Sequence, residues 1–373
     1  MERRFVLQDV QMLNGKRLDI VIEQGYIVEL TEANTAQGEC IPCHGCYVSS
    51  GWIDMHVHAF SEFDPYGDVA DEVGIKQGVA TIIDAGSCGA DRFDDFYEQV
   101  SEAKTNVLAF LNISSIGLSR KDELSNLAWI DREKARLMIT KYKEIIVGLK
   151  ARMSQSVVCE NGIEPLLVAR EIAKENHLSL MVHIGSGPPK IEDILLHLEK
   201  KDILTHFLNG KDNNLFDEHG RPLPLLMEAV DKGVHLDVGH GGASFSFKVA
   251  EFAKRAGIQF QTISSDIYRQ NRLEGPVFSL AKVMTKFIAL GYSLQEVVDG
   301  VTIQAATWLN RPELGRIQVG DKAHLTLFSL VNGPVELIDS QGEVRIGLEE
   351  IVAKGVVVNG EYYPCEVRTK TSH

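Results

Sequence analysis

Eight short apolar runs through the middle of the chain constrain its fold more than any other feature. They are GWIDMHVH (51–58), VATIIDAGS (79–87), VLAFLNISS (107–115), IIVGLKAR (145–152), LSLMVHIG (178–185), DILTHFLNG (202–210), VHLDVGHG (234–241) and QTISSDIY (261–268). Each is nearly continuously apolar, the pattern of a strand buried on both faces. Most are separated by segments with helical periodicity and charged outer faces: DDFYEQVSEAK, DREKARLMITKYKE, EPLLVAREIAKEN, IEDILLHLEK, LPLLMEAVDKG and FKVAEFAKRAG. Eight strand–helix units in about 250 residues is the count of a closed (β/α)8 TIM barrel. An open doubly wound sheet is the competing arrangement. No Gly-x-Gly-x-x-Gly turn follows the first run, and polar residues recur at the run ends all the way round. Both favour the barrel.

The two ends of the chain read differently from the middle and like each other. FVLQDVQML, DIVIEQGYIVEL and HGCYVSS before residue 51, and LGRIQVGDKAHLTLFSL and EVRIGLEEIVAKGVVVNGEYYP after about residue 310, show partial alternation. Asn14-Gly15 and Asn359-Gly360 are hairpin signals. The economical arrangement is an α/β chain with a barrel over 51–310, inserted into a small β-sandwich built from 1–50 and 311–373.

The chain has 373 residues and a net charge of −14. A strongly acidic balance argues against nucleic acid or an anionic membrane as partner, since both demand a basic footprint. A local basic site for a small anion stays compatible with it. MERRFVLQDVQMLNGKRLDI has no continuous apolar core of a signal peptide, and no run reaches the length of a membrane span. A cytoplasmic setting is expected. Cys40, Cys43 and Cys46, with His44 among them, have metal-compatible spacing but no nearby fourth cysteine, and read as small cysteines of a strand-and-turn segment.

Barrel enzymes build their sites at the C-terminal ends of the strands. The first run ends in His56 and His58, which share one face of a strand because side chains alternate. Two imidazoles so placed can grip one metal ion. The fourth run ends Lys150-Ala151-Arg152, the fifth holds His183, the sixth His206 and the eighth Asp266. Single core histidines are ordinary. Four histidines, a lysine and an aspartate over five strand ends are not. Lys150, in an apolar run, is costly to bury unless paired or altered. It either forms a salt bridge, with Asp54 a candidate, or captures CO2 as a carbamate whose two oxygens bridge two cations. In the second case one ion lies on His56, His58 and Asp266, and another on His183 and His206.

This pattern resembles the amidohydrolase superfamily in its binuclear branch, where His-x-His stands on strand one, Lys on four, His on five and six, and Asp on eight. LKARMSQSVV, VHIGSGPP, DILTHFLNGK, LDVGHGGASFSF and SSDIYRQN resemble a narrower group whose members have been called dihydroorotase-like, adenine-deaminase-like and deacetylase-like. Two departures are visible. Ser50 stands where the family usually has Pro, and Ala323-His324-Leu325 where it usually has Ala-Asp-Leu. Neither touches a metal position.

The resemblance implies a hydrolase with two divalent ions, zinc first, and N6-carboxylysine at Lys150. A metal-bridging hydroxide is expected to attack an amide or ester carbonyl, with Asp266 as general acid and base. The expected substrate is a small N-acyl or O-acyl carboxylic acid. Arg152, on the same side of its strand as Lys150, is expected to grip the carboxylate or to form a supporting salt bridge. His240 is expected to contact substrate or cap a loop, and Asn209 and Tyr268 are further candidates for substrate contact. Cyclic-amide hydrolysis, deamination of an adenine-type ring and a non-enzymatic scaffold are the alternatives. Deaminases of the superfamily usually use one metal and no carboxylated lysine, and a scaffold would have lost its ligands. A homo-oligomer is expected.

Overall fold

The computed structural model describes residues 4–365. Its centre is a seven-stranded parallel sheet, β6 (Trp52–Val57), β7 (Val79–Ala85), β8 (Asn106–Asn112), β9 (Ile146–Met153), β10 (Leu180–Ile184), β11 (Ile203–Thr205) and β12 (His235–Asp237), in sequential order. The eighth run closes it. Thr262 bridges Asp237 of β12 and Ile267 bridges Val57 of β6, both in parallel. The ladder is interrupted there because the Asp54 carboxylate takes the place of backbone partners. It accepts the Ser265 N–H at 3.0 Å and the His56 N–H at 3.2 Å. The barrel is therefore complete, with an irregular seam beside His56.

Local chemistry explains the helices between the strands. Asp131 caps helix Arg132–Lys141, accepting the Lys134 N–H at 3.0 Å. Pro224 opens helix Pro224–Lys232, and Gly233 ends it in the left-handed conformation. Their inward residues, such as Leu166, Ile172 and Phe247, join the main core around the strands.

The termini form one eight-stranded sheet. Its path runs β15 (Glu361–Pro364), β14 (Val344–Val358), β13 (Leu325–Ile338), β5 (Tyr47–Ser50), β1 (Arg4–Met12), β2 (Arg17–Glu23) and β3 (Tyr26–Glu32), with β4 (Glu39–Pro42) beside β1. Its own core contains Phe5, Leu7, Ile20, Val48, Leu325 and Val357. Both Asn-Gly pairs form turns, with Gly15 and Gly360 at positive φ.

Two features tie this sheet to the barrel. At the chain's entry into β6, the Gly51 N–H donates to the His324 carbonyl at 2.7 Å, and the Trp52 N–H to Thr326 Oγ1 at 3.0 Å. The β13–β14 hairpin then reaches to the far rim. There Ser340 Oγ donates to the Gly241 carbonyl at 2.9 Å, and Gln341 Nε2 to the Gly210 carbonyl at 2.9 Å. No helix among the described residues is long and apolar enough to cross a membrane.

Candidate metal centre

The six side chains singled out in the barrel runs meet at one rim. His56 Nε2 and His58 Nε2 lie 3.3 and 3.2 Å from Asp266 Oδ1. Lys150 Nζ lies 3.2 Å from His56 Nε2. The His206 ring stands 5.0 Å from that of His56 and 4.3 Å from that of His183, centroid to centroid. His206 and Asp266 both have positive φ, 68° and 50°. Such backbone is uncommon for residues other than glycine and clusters at functional sites.

The outer ring nitrogens determine what the inner ones offer. Thr205 Oγ1 donates to Asp237 Oδ2 at 2.8 Å and so accepts from His56 Nδ1 at 3.0 Å. Ser87 Oγ donates to Asp84 Oδ2 at 2.7 Å and accepts from His58 Nδ1 at 2.9 Å. His206 Nδ1 donates to the Gly239 carbonyl at 2.6 Å. With Nδ1 protonated in all three rings, each Nε2 presents a lone pair to the centre.

That arrangement fits a cation. A carboxylate oxygen within 3.3 Å of two imidazole lone pairs repels them unless positive charge lies among them. His206 Nε2 is buried with no hydrogen-bond partner. Burial, with the Lys150 charge, drives the His56 pKa well below its ordinary value, so a proton does not fill the gap. Among the described residues, His56, His58 and Asp266 are the grouping of three metal-ligating side chains close enough to share an ion, and the Cys40–Cys46 segment forms none.

Lys150 is buried and forms no ion pair among the described residues. Asp54, its candidate partner, is occupied by Ser265 and the His56 N–H instead. Burial pushes the Lys150 pKa down to about 7 against the opposing pull of Asp266. Burial raises the Asp266 pKa, but the surrounding His58, His206 and Lys150 outweigh that and hold it below the usual carboxylate range.

A cavity of about 210 Å³ opens onto this cluster, lined among others by Tyr66, Arg152, Ser154, Lys211, Ser244 and Tyr268. It is smaller than the roughly 300 Å³ at which ligand clefts usually begin. Of the expected substrate contacts, His240 and Asn209 do not line the cavity. Arg152 does line the cavity, but its Nη1 bonds both oxygens of buried Glu123, at 3.1 and 3.2 Å. The supporting salt bridge is thus formed. His240 does not line it. The ring is buried, stacked on Phe245, with Nδ1 donating to the Gly241 carbonyl at 2.9 Å and Nε2 accepting from Lys286 Nζ at 2.7 Å. Asn209 is also buried away from the cavity. Its amide donates to the His206 carbonyl at 2.9 Å and accepts the Lys211 N–H at 3.0 Å. Tyr268 lines the cavity.

Sequence reasoning overlooked Lys211 and the hydroxyl–carboxylate pairs behind His56 and His58. Lys211 was legible as the residue just past the sixth run. Ser87 ends the second run and Thr205 precedes His206, but nothing local shows which ring each one serves.

The amidohydrolase family model matches residues 47–362. The chain belongs to the amidohydrolase family. This amidohydrolase is 39% identical over 367 residues to a deacetylase of Enterococcus faecalis (strain ATCC 700802 / V583), covering 97% of this chain and all of the relative. A deacetylase of Brucella anthropi is 35% identical over 313 residues, 83% of this chain and 78% of the relative. Among solved structures it resembles an adenine deaminase at TM-score 0.92 and 38% identity, covering 96% of this chain and 99% of the other. A dihydroorotase aligns at TM-score 0.90 and 32% identity, covering 97% and 99%. The protein is thus a metal-dependent hydrolase acting on carbon–nitrogen bonds, built on the TIM barrel of its family.

Proposed function

We propose that this amidohydrolase is a deacylase that removes an acetyl or similar acyl group from the nitrogen or oxygen of a small carboxylic acid. The relatives named deacetylases support the reaction. The observation that carries it is Lys150 Nζ, buried without a counter-ion, 3.2 Å from a histidine nitrogen that bears no proton. Burial without a counter-ion disfavours the ammonium and pushes its pKa down to about 7. A neutral amine that takes up CO2 is not disfavoured.

The donor set suits two divalent ions, zinc first, since imidazole and carboxylate oxygen both serve it. His56, His58 and Asp266 would hold one, His183 and His206 the other, with carboxylated Lys150 shared. Ions so held lower the pKa of water and polarise a carbonyl. Asp266, kept ionised at neutral pH, takes a proton from water beside His56 and His58 and returns it to the departing nitrogen or oxygen. Tyr66 and Tyr268, with ring centroids 5.4 Å apart, wall the cavity and narrow the access of bulk water.

Cyclic-amide hydrolysis or deamination is the second reading, favoured by the adenine deaminase and dihydroorotase structures. The placement of Lys150 suits two ions better than one and so weighs against deamination. A screen of N-acetyl, O-acetyl and cyclic-amide compounds with metal-loaded protein separates the readings, together with metal content per chain. Acyl hydrolysis with two ions is expected. One ion with unmodified Lys150 and release of ammonia would overturn the deacylase.

A further inference from the structure

Besides Lys150, the cavity holds a second lysine without a counter-ion among the described residues. Lys211 Nζ lines it, half-buried, and makes no hydrogen bond or ion pair among the described residues. Arg152, also at this wall, is engaged by Glu123. The one acidic side chain lining the cavity is Asp266, which faces His56 and His58. A partly desolvated ammonium without a counter-charge is costly, and a ligand anion would relieve that cost.

The backbone that carries Lys211 is held in advance. Asn209 bridges the His206 carbonyl and the Lys211 N–H, at 2.9 and 3.0 Å. Gln341, from the β13–β14 hairpin of the terminal sheet, binds the carbonyl of neighbouring Gly210 at 2.9 Å. The lysine therefore projects from a clamped segment, the condition under which a charge gives selectivity instead of mere attraction.

We propose that Lys211, not Arg152, is the residue that selects substrates by their carboxylate. The cavity, about 210 Å³, suits a small acid of the proposed class. This rests on the deacylase reading for the reaction, but not for the anion site itself.

The test uses zinc-loaded full-length enzyme with N-acetylalanine and O-acetyllactate, each beside its carboxamide. Wild type is expected to prefer the acids. In Lys211→Met the ratio of kcat/KM for acid over carboxamide falls about 10- to 100-fold, the worth of a charge-assisted hydrogen bond, chiefly through KM. Lys211→Arg retains most of the preference. An unchanged ratio in both Lys211→Met and Lys211→Gln, or a wild-type preference for carboxamides, overturns the proposal while leaving the deacylase standing. Should neither acyl compound be hydrolysed, the deacylase reading fails and calorimetry still decides the anion site. Lactate should then bind wild type at least 10-fold tighter than Lys211→Met at equal zinc content. Equal binding, or none to wild type, overturns it.

Discussion

Lys150 Nζ lies 3.2 Å from His56 Nε2, on strands that are not neighbours in the barrel. The contact joins the fourth strand to the first across the barrel mouth. The lone pair of His56 faces the amine there, so a carboxylated Lys150 would need a cation between itself and the ring. Replacing Lys150 by Ala should lower kcat/KM by about 10³-fold, several kcal/mol of electrostatic stabilisation. Added acetate or propionate should restore part of the rate by standing in for the carbamate. Full activity of the unassisted variant would remove the bridging role.

Ser87 fixes the tautomer of His58 through its own bond to Asp84. Ser87→Ala frees the ring to protonate at either nitrogen. Metal affinity, measured by competition with a chromophoric chelator, should fall about 10- to 100-fold, as when other supports behind metal ligands are removed. The melting temperature of the metal-free protein should move little. A large loss of metal-free stability with unchanged affinity would make Ser87 a packing residue instead.

Gly241 has φ +56°, and a methyl group there would overlap the Asp266 carboxylate. Gly241→Ala should cost about 1–2 kcal/mol of stability from the left-handed backbone alone. It should cost activity out of proportion to that, since Asp266 must move. Comparing the urea midpoint with kcat separates the two effects.

His235 and His324 are buried, and burial drives their pKa values to about 3 and about 4. In the unfolded chain they return to about 6.5. Between those values the unfolded state binds more protons than the folded one, so stability rises with pH. The contribution is fully present above about pH 6.5 and is lost progressively as pH falls towards 3–4. Urea midpoints taken from pH 7.5 to 4.5 should therefore decline, and His235→Gln should decline less steeply. A parallel decline in the variant would assign the acid sensitivity elsewhere.

Much of this protein was readable before any coordinates. Eight apolar runs specified eight barrel positions, because burial on both faces leaves a local signature. Alternation along a strand placed His56 and His58 on one face, and the terminal hairpins announced themselves through Asn-Gly pairs. Lys150 was conspicuous because a lysine in an apolar run demands an explanation. Other decisions belonged to the tertiary structure. Arg152 goes to Glu123, and His240 turns away to Lys286. The tautomers of His56 and His58 depend on Thr205 and Ser87, hydroxyls far from them in the chain and held by Asp237 and Asp84. Among the described residues Lys211 Nζ has no ion pair, while Arg152 at the same wall takes Glu123. Periodicity is a property of neighbours in the chain and survives in the sequence. The choice of partner is a competition among groups that folding alone brings together, and no local pattern records who wins it.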